Sequence, residues 1–552
     1  MSLRPVPAPS VPEATARVAR AAFRKGCLAM RIRDELGPLF EDEQFARAFP
    51  RRGGPAWSPG QLAMVSVLQF AEGLTDRQAA DAVRGRIDVK YALGLELDDP
   101  GFDFSVLSEF RDRLVVHGLE ELVLNRLLER VSELGMVRAG GRQRTDSTHV
   151  LAAVRTLNRM EFVGETLRAA LETLAVAAPG WLRQVAAPQW FERYGKRIDS
   201  FRFPKGADAR QQWALAVGED GFALLQAVYA PDAPAWLREI EAVQVLRIAW
   251  VQQYHRDEEG VRWREGKDLP PGRLRLSSPY DTDTRYSVKR GAGWDGYKVH
   301  FTETCEPDAP HLITNVVTTD ATVPDAEITA PVHRALAARG LLPGIHLVDS
   351  GYTSAALLVA AAEQDIELMG PVFADTTAQG RAGDGLGQDA FAIDWPARTV
   401  TCPRGQRSVS WSAQRKPTGT EIVRVHFAKT DCDACPVRAK CTSAANHQYG
   451  RSLTLLTQPQ QQALDQRRRE QETAEWRAAY GTRAGVEGTI SQAVRVTRTR
   501  TTPYRGLHKT HLGHVLIAAG LNLHRLNAWW TETPIGTTHI SRFARLGLEL
   551  AA

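Results

Sequence analysis

Residues Tyr480–Arg495 read YGTRAGVEGTISQAVR, and Tyr480, Arg483 and Glu487 lie within them at spacings of three and four. On a single helix those spacings put the three side chains on one face, where the arginine can steady the glutamate or a phosphate while the glutamate faces a shared site. The bland alternative is a surface helix carrying an i, i+4 ion pair, which is commonplace; the full triplet is rarer. Its meaning depends on which other carboxylates the fold brings to it.

Two upstream β-prone runs finish on an aspartate followed by serine, Asp146 in RTDSTHV and Asp349 in LVDSGYTS. Side chains just past a strand end in an α/β fold face the crevice where such folds bind ligands. Aspartates there can hold divalent cations, because Mg²⁺ takes hard oxygen ligands and few of them from protein. A single strand-end aspartate is usually an N-cap or turn residue, so neither one alone carries the reading. Further strands are expected in YKVHFTET from Tyr297, HLITNVVTT from His311 and IHLVDSG from Ile345. Between the last two, DAEITAPVHRALAARG reads as a helix with an acidic first turn and Gly340 after its end. Two β runs, a helix, then an apolar strand followed by its own helix form an α/β layer arrangement.

Taken together, Asp146, Asp349 and the Tyr480, Arg483, Glu487 triplet resemble the DDE transposases of bacterial insertion sequences, whose third motif is Y-x2-R-x3-E. The phrase YSVKRGAGWDGYKVHF, Tyr286–Phe301, is similar to the stretch that follows the first aspartate in the long members of that family. The resemblance covers residues 58–155 and 280–525. One departure is visible: where the family motif often continues with Lys seven residues after the glutamate, this chain has Val494, with Arg495 next and Arg498 beyond.

The resemblance implies an RNase H-like catalytic core and two divalent ions, Mg²⁺ or Mn²⁺. Two such ions can activate the attacking oxygen and stabilise the leaving one in an in-line displacement. On this reading Asp146 bridges both ions, Asp349 holds one and Glu487 the other, with Tyr480 and Arg483 in support. Cleavage frees a 3′-hydroxyl that then attacks target DNA. The implied partner is double-stranded DNA, at terminal inverted repeats and at a target site. Two ends must be brought together, so a homodimer on DNA is expected. A metal-dependent nuclease of the same fold that cuts without joining, and a catalytically inactive DNA-binding regulator, are the competing readings.

The separations are long, 203 residues from Asp146 to Asp349 and 138 from there to Glu487, so each gap needs an insertion. The expected organisation is an N-terminal lead (1–57), a helical DNA-binding domain (58–137), and an RNase H-like core in three pieces (138–155, 280–370 and 452–530). A helical insertion (156–279), a cysteine-bearing, zinc-binding insertion (371–451) and a C-terminal tail (531–552) complete it. In the helical domain Ser58-Pro59 is an N-cap with proline at the first helical position, opening a helix that ends near Gly73. A second helix starts at Thr75 and runs to Gly85, and a third begins at Ser105 and continues as FRDRLVVHGLEELVLNRLLERVSEL. Helix, short turn, helix is compatible with a helix-turn-helix reader of DNA and equally with an ordinary bundle. A last long helical stretch is expected from Gln458 through Glu487.

Cys402, Cys432, Cys435 and Cys441 are four of the six cysteines. The C-x2-C pair can place two thiolates on one tetrahedral ion, with Cys441 and Cys402 completing a structural Zn²⁺ site, or His426 or His447 replacing a cysteine. Reduced, partly buried thiols without metal, or an iron–sulfur cluster, are the alternatives. After Glu487, residues 488–531 contain no Asp or Glu but hold Arg495, Arg498, Arg500, Arg505, Lys509 and Arg525. Arginines among threonine hydroxyls and a tyrosine suit phosphate contact.

Composition bounds these readings. Six cysteines in 552 residues do not staple a secreted scaffold, and the start MSLRPVPAPSVP lacks the apolar core of a secretory signal. No run approaches the roughly 18–20 apolar residues of a membrane span. A cytoplasmic protein is expected. Its 69 basic and 64 acidic residues leave only +5, yet residues 488–531 alone supply +6.

Overall fold

The computed structural model describes residues 2–289, 291–443 and 448–533. Its central feature is a mixed sheet. Strand β1 (Arg142–Leu151) is rich in β-branched residues that suit a pleated surface. A helical insertion then ends in the hairpin β2 (Tyr254–Asp257) and β3 (Gly260–Trp263). The chain returns to the sheet with β4 (Arg285–Lys289), β5 (Ala292–Thr304), β6 (Ile313–Asp320), β7 (Ile345–Leu347) and β8 (Glu367–Met369). β5 lies antiparallel to β1, while β4 and β6 follow one another along its far edge. On the other side of β1 lie β7 and then β8, both parallel. The short parallel pair is joined through the helix Ala355–Ala362 and presents mostly buried residues, as a parallel strand covered on both faces requires. Gly296 lets β5 press against β1: its φ is +155°, and a methyl there would collide with the Val150 carbonyl.

The helices before β1 share this core. Pro59–Glu72 is capped by Ser58, whose side chain accepts from Gln61 N at 3.2 Å, and it ends at Gly73 with φ +67°. Its residues are almost all buried, and it packs against the long helix Leu507–Trp530, where Gly520 sits so close that an added Cβ would lie 2.8 Å from Ala71 N. Leu68, Val83 and Val131 therefore belong to one apolar cluster with Val299, Val316 and Leu516. Asp76–Gly85 opens with a Thr75/Gln78 capping box. The continuous helix expected from Ser105 is instead two, Ser105–Val116 and Leu122–Glu133, because Gly118 takes φ +60° between them.

Both insertions build cores of their own. Helices Arg159–Ala177, Ala207–Val228 and Glu241–Gln253 bury Leu167, Leu174, Leu224, Leu246 and Trp250. In the second insertion β9 (Ala392–Asp394) pairs β10 (Thr399–Thr401), and β11 (Ser408–Arg415), β12 (Glu421–Ala428) and β13 (Tyr449–Leu455) form a three-stranded antiparallel sheet. Val400, Val425, Phe427, Leu453 and Leu455 fill its core. β13 carries this unit four residues past the expected boundary at 451. Of the expected tail, residues 534–552 lie outside the described residues. Among the described residues no helix is long and apolar enough to cross a membrane.

Candidate active site

The register of the parallel pair aligns the two aspartates. Arg144 on β1 lies beside Leu347 on β7, so Asp146 and Asp349 each stand two residues further on at the same end of the pair. β7 has ended by then, which opens a crevice beside β1. The expectation that a strand finishes at Asp146 is corrected: β1 runs on to Leu151, held by β5, with Asp146 opposite Phe301. Asp146 Oδ1 accepts from Ser147 N at 2.7 Å. Asp349 caps the 3₁₀ turn Ser350–Tyr352, accepting from Gly351 N at 2.8 Å. Burial pushes the Asp146 carboxyl above the usual aspartate range; the Arg483 cation opposes this and the charge of Asp349 adds to it.

The third motif is not on one helix. Tyr480 ends Ala474–Gly481, Arg483 sits in the 3₁₀ turn Thr482–Ala484, and Glu487 lies in the first turn of Gly485–Thr497. The long helical stretch expected from Gln458 is broken at these points and after Glu470. The triplet still converges. Arg483 Nη2 lies 3.0 Å from Asp146 Oδ2 and Nη1 lies 3.5 Å from Glu487 Oε1, so the guanidinium bridges two of the carboxylates. Burial works against its charge, but Asp146, Tyr480, Asp349 and Glu487 outweigh it and hold its pKa above the ordinary arginine value. Glu487 is 68% exposed at the rim, whereas Asp146 is 16% exposed. Tyr480 stacks on Trp476 with centroids 4.7 Å apart, and burial raises its phenol.

A buried ion cluster that the sequence does not announce fixes these pieces together. Glu303 on β5 is fully buried and pairs with Arg144 at 2.6 Å and Arg525 at 2.5 Å, while Thr489 donates to it at 2.5 Å. Burial alone would raise the Glu303 carboxyl; Arg525 and Arg144 overcome that and hold it below its usual range. Arg144 also donates to the Thr482 carbonyl at 2.6 Å, beside Arg483. A side chain at Gly485 would collide with that guanidinium, so the helix of Glu487 approaches β1 closely only because position 485 has none. Strand, turn and helix are thus pinned by one carboxylate. A glutamate in the apolar run YKVHFTET is the only sequence signal for it.

Asp146 and Glu487 open onto one broad, solvent-open cleft. Arg495 and Arg500 line it, and Arg500 Nε donates to Thr148 at 3.1 Å. The segment after Glu487 is stitched to the end of β1 by Leu151 N to Arg500 O, 2.8 Å, and Thr502 N to Leu151 O, 3.0 Å. Arg498 is exposed at the helix end with φ +56°. Arg505 lies over Tyr280, with 5.8 Å to the ring centroid. Two members of the basic strip are committed elsewhere, Lys509 to Asp112 at 2.5 Å and Arg525 to Glu303. Sequence reasoning missed Lys289, His149 and Trp294, which also line the cleft. The Gly-rich sequence KRGAGW and the position of His149 three residues after Asp146 are the signals that could have found them.

Among the described residues no three His, Cys, Asp or Glu side chains are grouped so that they could hold a metal ion between them. For Mg²⁺ the donor set nonetheless fits: it binds through one or two carboxylates plus substrate phosphates, and Asp146 is a buried carboxylate raised partly by Asp349. The zinc expectation does not fit. Cys402, Cys432, Cys435 and Cys441 line one 430 Å³ pocket with Phe391, Phe427 and Val437, and three of them pack against the core of their module. Burial, with the neighbouring sulfurs, raises the Cys441 thiol, and the Arg451 cation opposes this. His426 is engaged by Tyr449, stacked at 4.3 Å, and by Ser452 at 2.7 Å. His447 lies outside the described residues.

The cleft is open, carries the carboxylates of Asp146 and Glu487 and is lined by Arg495 and Arg500. Residues 401–527, which include Tyr480, Arg483 and Glu487, match the family model described as a transposase DDE domain, and residues 22–113 match the transposase domain DUF772. Together the two matches support a DDE-type insertion-sequence transposase, an enzyme class of DNA-cleaving phosphoryl transfer. No curated protein matches the chain.

Proposed function

We propose that this chain cleaves phosphodiester bonds at the ends of an insertion sequence and joins the freed 3′-hydroxyl to target DNA, using an RNase H-like core. The observation that carries the reading is the shared register of Asp146 and Asp349, with Arg483 tying Asp146 to Glu487. The strand order, three antiparallel strands followed by two parallel ones, supports the core assignment.

Two divalent ions, when bound, would activate the attacking oxygen and stabilise the leaving one, with Asp146 holding both, Asp349 one and Glu487 the other. The chain's own residues do the rest. Arg483 faces Asp146 and opposes the upward push of burial on its carboxyl. Arg495, Arg498, Arg500 and Lys289 position the backbone of double-stranded DNA along the cleft by phosphate contact. The paired helices Pro59–Glu72 and Asp76–Gly85 serve as a helix-turn-helix reader of the terminal inverted repeats, with Arg77 exposed on the second. A homodimer holds both ends, since joining requires two.

The test is incubation with Mg²⁺ and DNA carrying the flanking inverted repeats. Joined products are expected from the wild type and none from Asp349→Asn, which still binds. Cut but unjoined DNA would make the protein a nuclease, and binding without either product would make it a regulator.

A further inference from the structure

The helical insertion carries a second cleft, of 870 Å³, whose walls include Arg193, Lys196, Arg197 and Arg202 beside Phe203 and Trp213. Some of this charge is internally balanced: Arg193 pairs with Asp220, and Arg197 with Asp199 at 3.4 Å. The rest is not. Lys196 and Arg202 are exposed and, among the described residues, have no acidic partner, and Arg202 lies over the ring of Phe201, itself 79% exposed, at 5.3 Å from the centroid. Arg193, Lys196, Arg197 and Arg202 outnumber the wall's two acids, Glu192 and Asp199, and Asp199 is already engaged by Arg155 and Arg197. Exposed cations in excess around a hollow suit a polyanion whose charges repeat along a line.

The cleft is also placed to serve the first one. Leu151 lines the catalytic cleft, and four residues later Arg155 donates to Asp199 at 2.9 Å and to the Ile198 carbonyl at 2.7 Å, both on the wall of the second cleft. A four-residue span plus one arginine side chain reaches at most ~20 Å, which is about six base pairs of duplex.

We propose that this cleft of the helical insertion binds the phosphate backbone of the same double-stranded DNA whose end occupies the catalytic cleft, within about one helical turn of the scissile bond. It thereby lengthens the DNA footprint without reading sequence. The proposal rests on the functional reading above for which DNA is bound.

The test compares full-length wild type with a Lys196→Gln/Arg202→Gln variant on duplexes that either continue for 15 base pairs on both sides of the cut site or stop at it. Affinity is measured between 50 and 200 mM salt. Loss of two phosphate contacts lowers the slope of log affinity against log salt by about 1.8, so the fourfold salt change costs the variant about tenfold less affinity than it costs the wild type. That difference is expected on the long duplex, with Mg²⁺-dependent cutting of the bound complex retained. An identical slope for both proteins on the long duplex overturns the proposal. So does an unchanged DNA slope with lost affinity for poly-L-glutamate, which would assign the patch to an acidic protein. A wild type that never cuts, yet shows the slope difference, sinks the functional reading and leaves the contact standing.

Discussion

Arg483 reaches Asp146 at 3.0 Å from a turn 337 residues further along the chain, and its guanidinium is paired with this buried carboxylate. Removing it as Arg483→Gln takes away the largest influence opposing burial and the charge of Asp349, leaving only the Ser147 N–H and Lys289 against them, so the Asp146 carboxyl rises further. End cleavage is expected to fall roughly 10- to 100-fold, as for a residue orienting a ligand. The acid limb of its pH–rate profile should move to higher pH, because the ionised form is the one required. An acid limb that stays in place would refute the role.

Asp146→Asn should lose cleavage by ~1000-fold or more, the scale of several kcal/mol of charge stabilisation. Its stability should move the other way. A carboxyl whose native pKa is raised contributes stability below its unfolded value of about 3.9 and loses that contribution as pH rises through the native value. Thermal melts are therefore expected to favour the Asn variant increasingly from pH 4 to pH 7, relative to wild type.

Glu303→Ala strands Arg144 and Arg525 without their shared anion, a loss of about 3–5 kcal/mol for a broken buried pair. Here the native pKa is depressed, so the wild-type advantage is present above the ordinary glutamate range and disappears as pH falls through the native value. Denaturant midpoints at pH 7 and pH 3 should show a wide gap and then a narrow one.

Arg495→Gln/Arg500→Gln should reduce the salt slope of DNA affinity by about 1.8, two phosphate contacts' worth. Lys509→Gln should leave it unchanged, because that ammonium is already paired with Asp112. Equal slopes in the two variants, measured by salt titration of a labelled duplex, would remove the distinction.

Local punctuation was legible in the sequence. Ser58-Pro59 and Thr75 start helices where expected, Gly340 follows its helix with φ +65°, and the β-prone runs at Gln143, Tyr297, His311 and Ile345 are four of the six strands of the sheet, β4 and β8 having gone unread. The breaks were not. A 3₁₀ turn at Thr482–Ala484 leaves the three-and-four spacing of the motif intact, so periodicity cannot reveal it. The end of β1 was misplaced because what changes at Asp146 is its neighbour on β7, a tertiary event. Glu303, Arg525 and Lys509 look like solvated charges until their partners, far away in sequence, are known. The cysteine spacing suggested a metal knuckle, and packing has instead made those thiols part of a small apolar pocket.

The contact of Pro59–Glu72 with Leu507–Trp530 has a kinetic consequence. Nearly the whole chain must leave the ribosome before the helix beneath the first bundle meets its cover, and the arginine that completes the Glu303 cluster arrives on that same cover. Such distant pairing is slow to form and leaves apolar surface open meanwhile. A polypeptide cut short before residue 507 would emerge with Asp146, Asp349 and Glu487 all present and yet unable to close around them, so synthesis itself withholds the assembled cleft until the final stretch is translated.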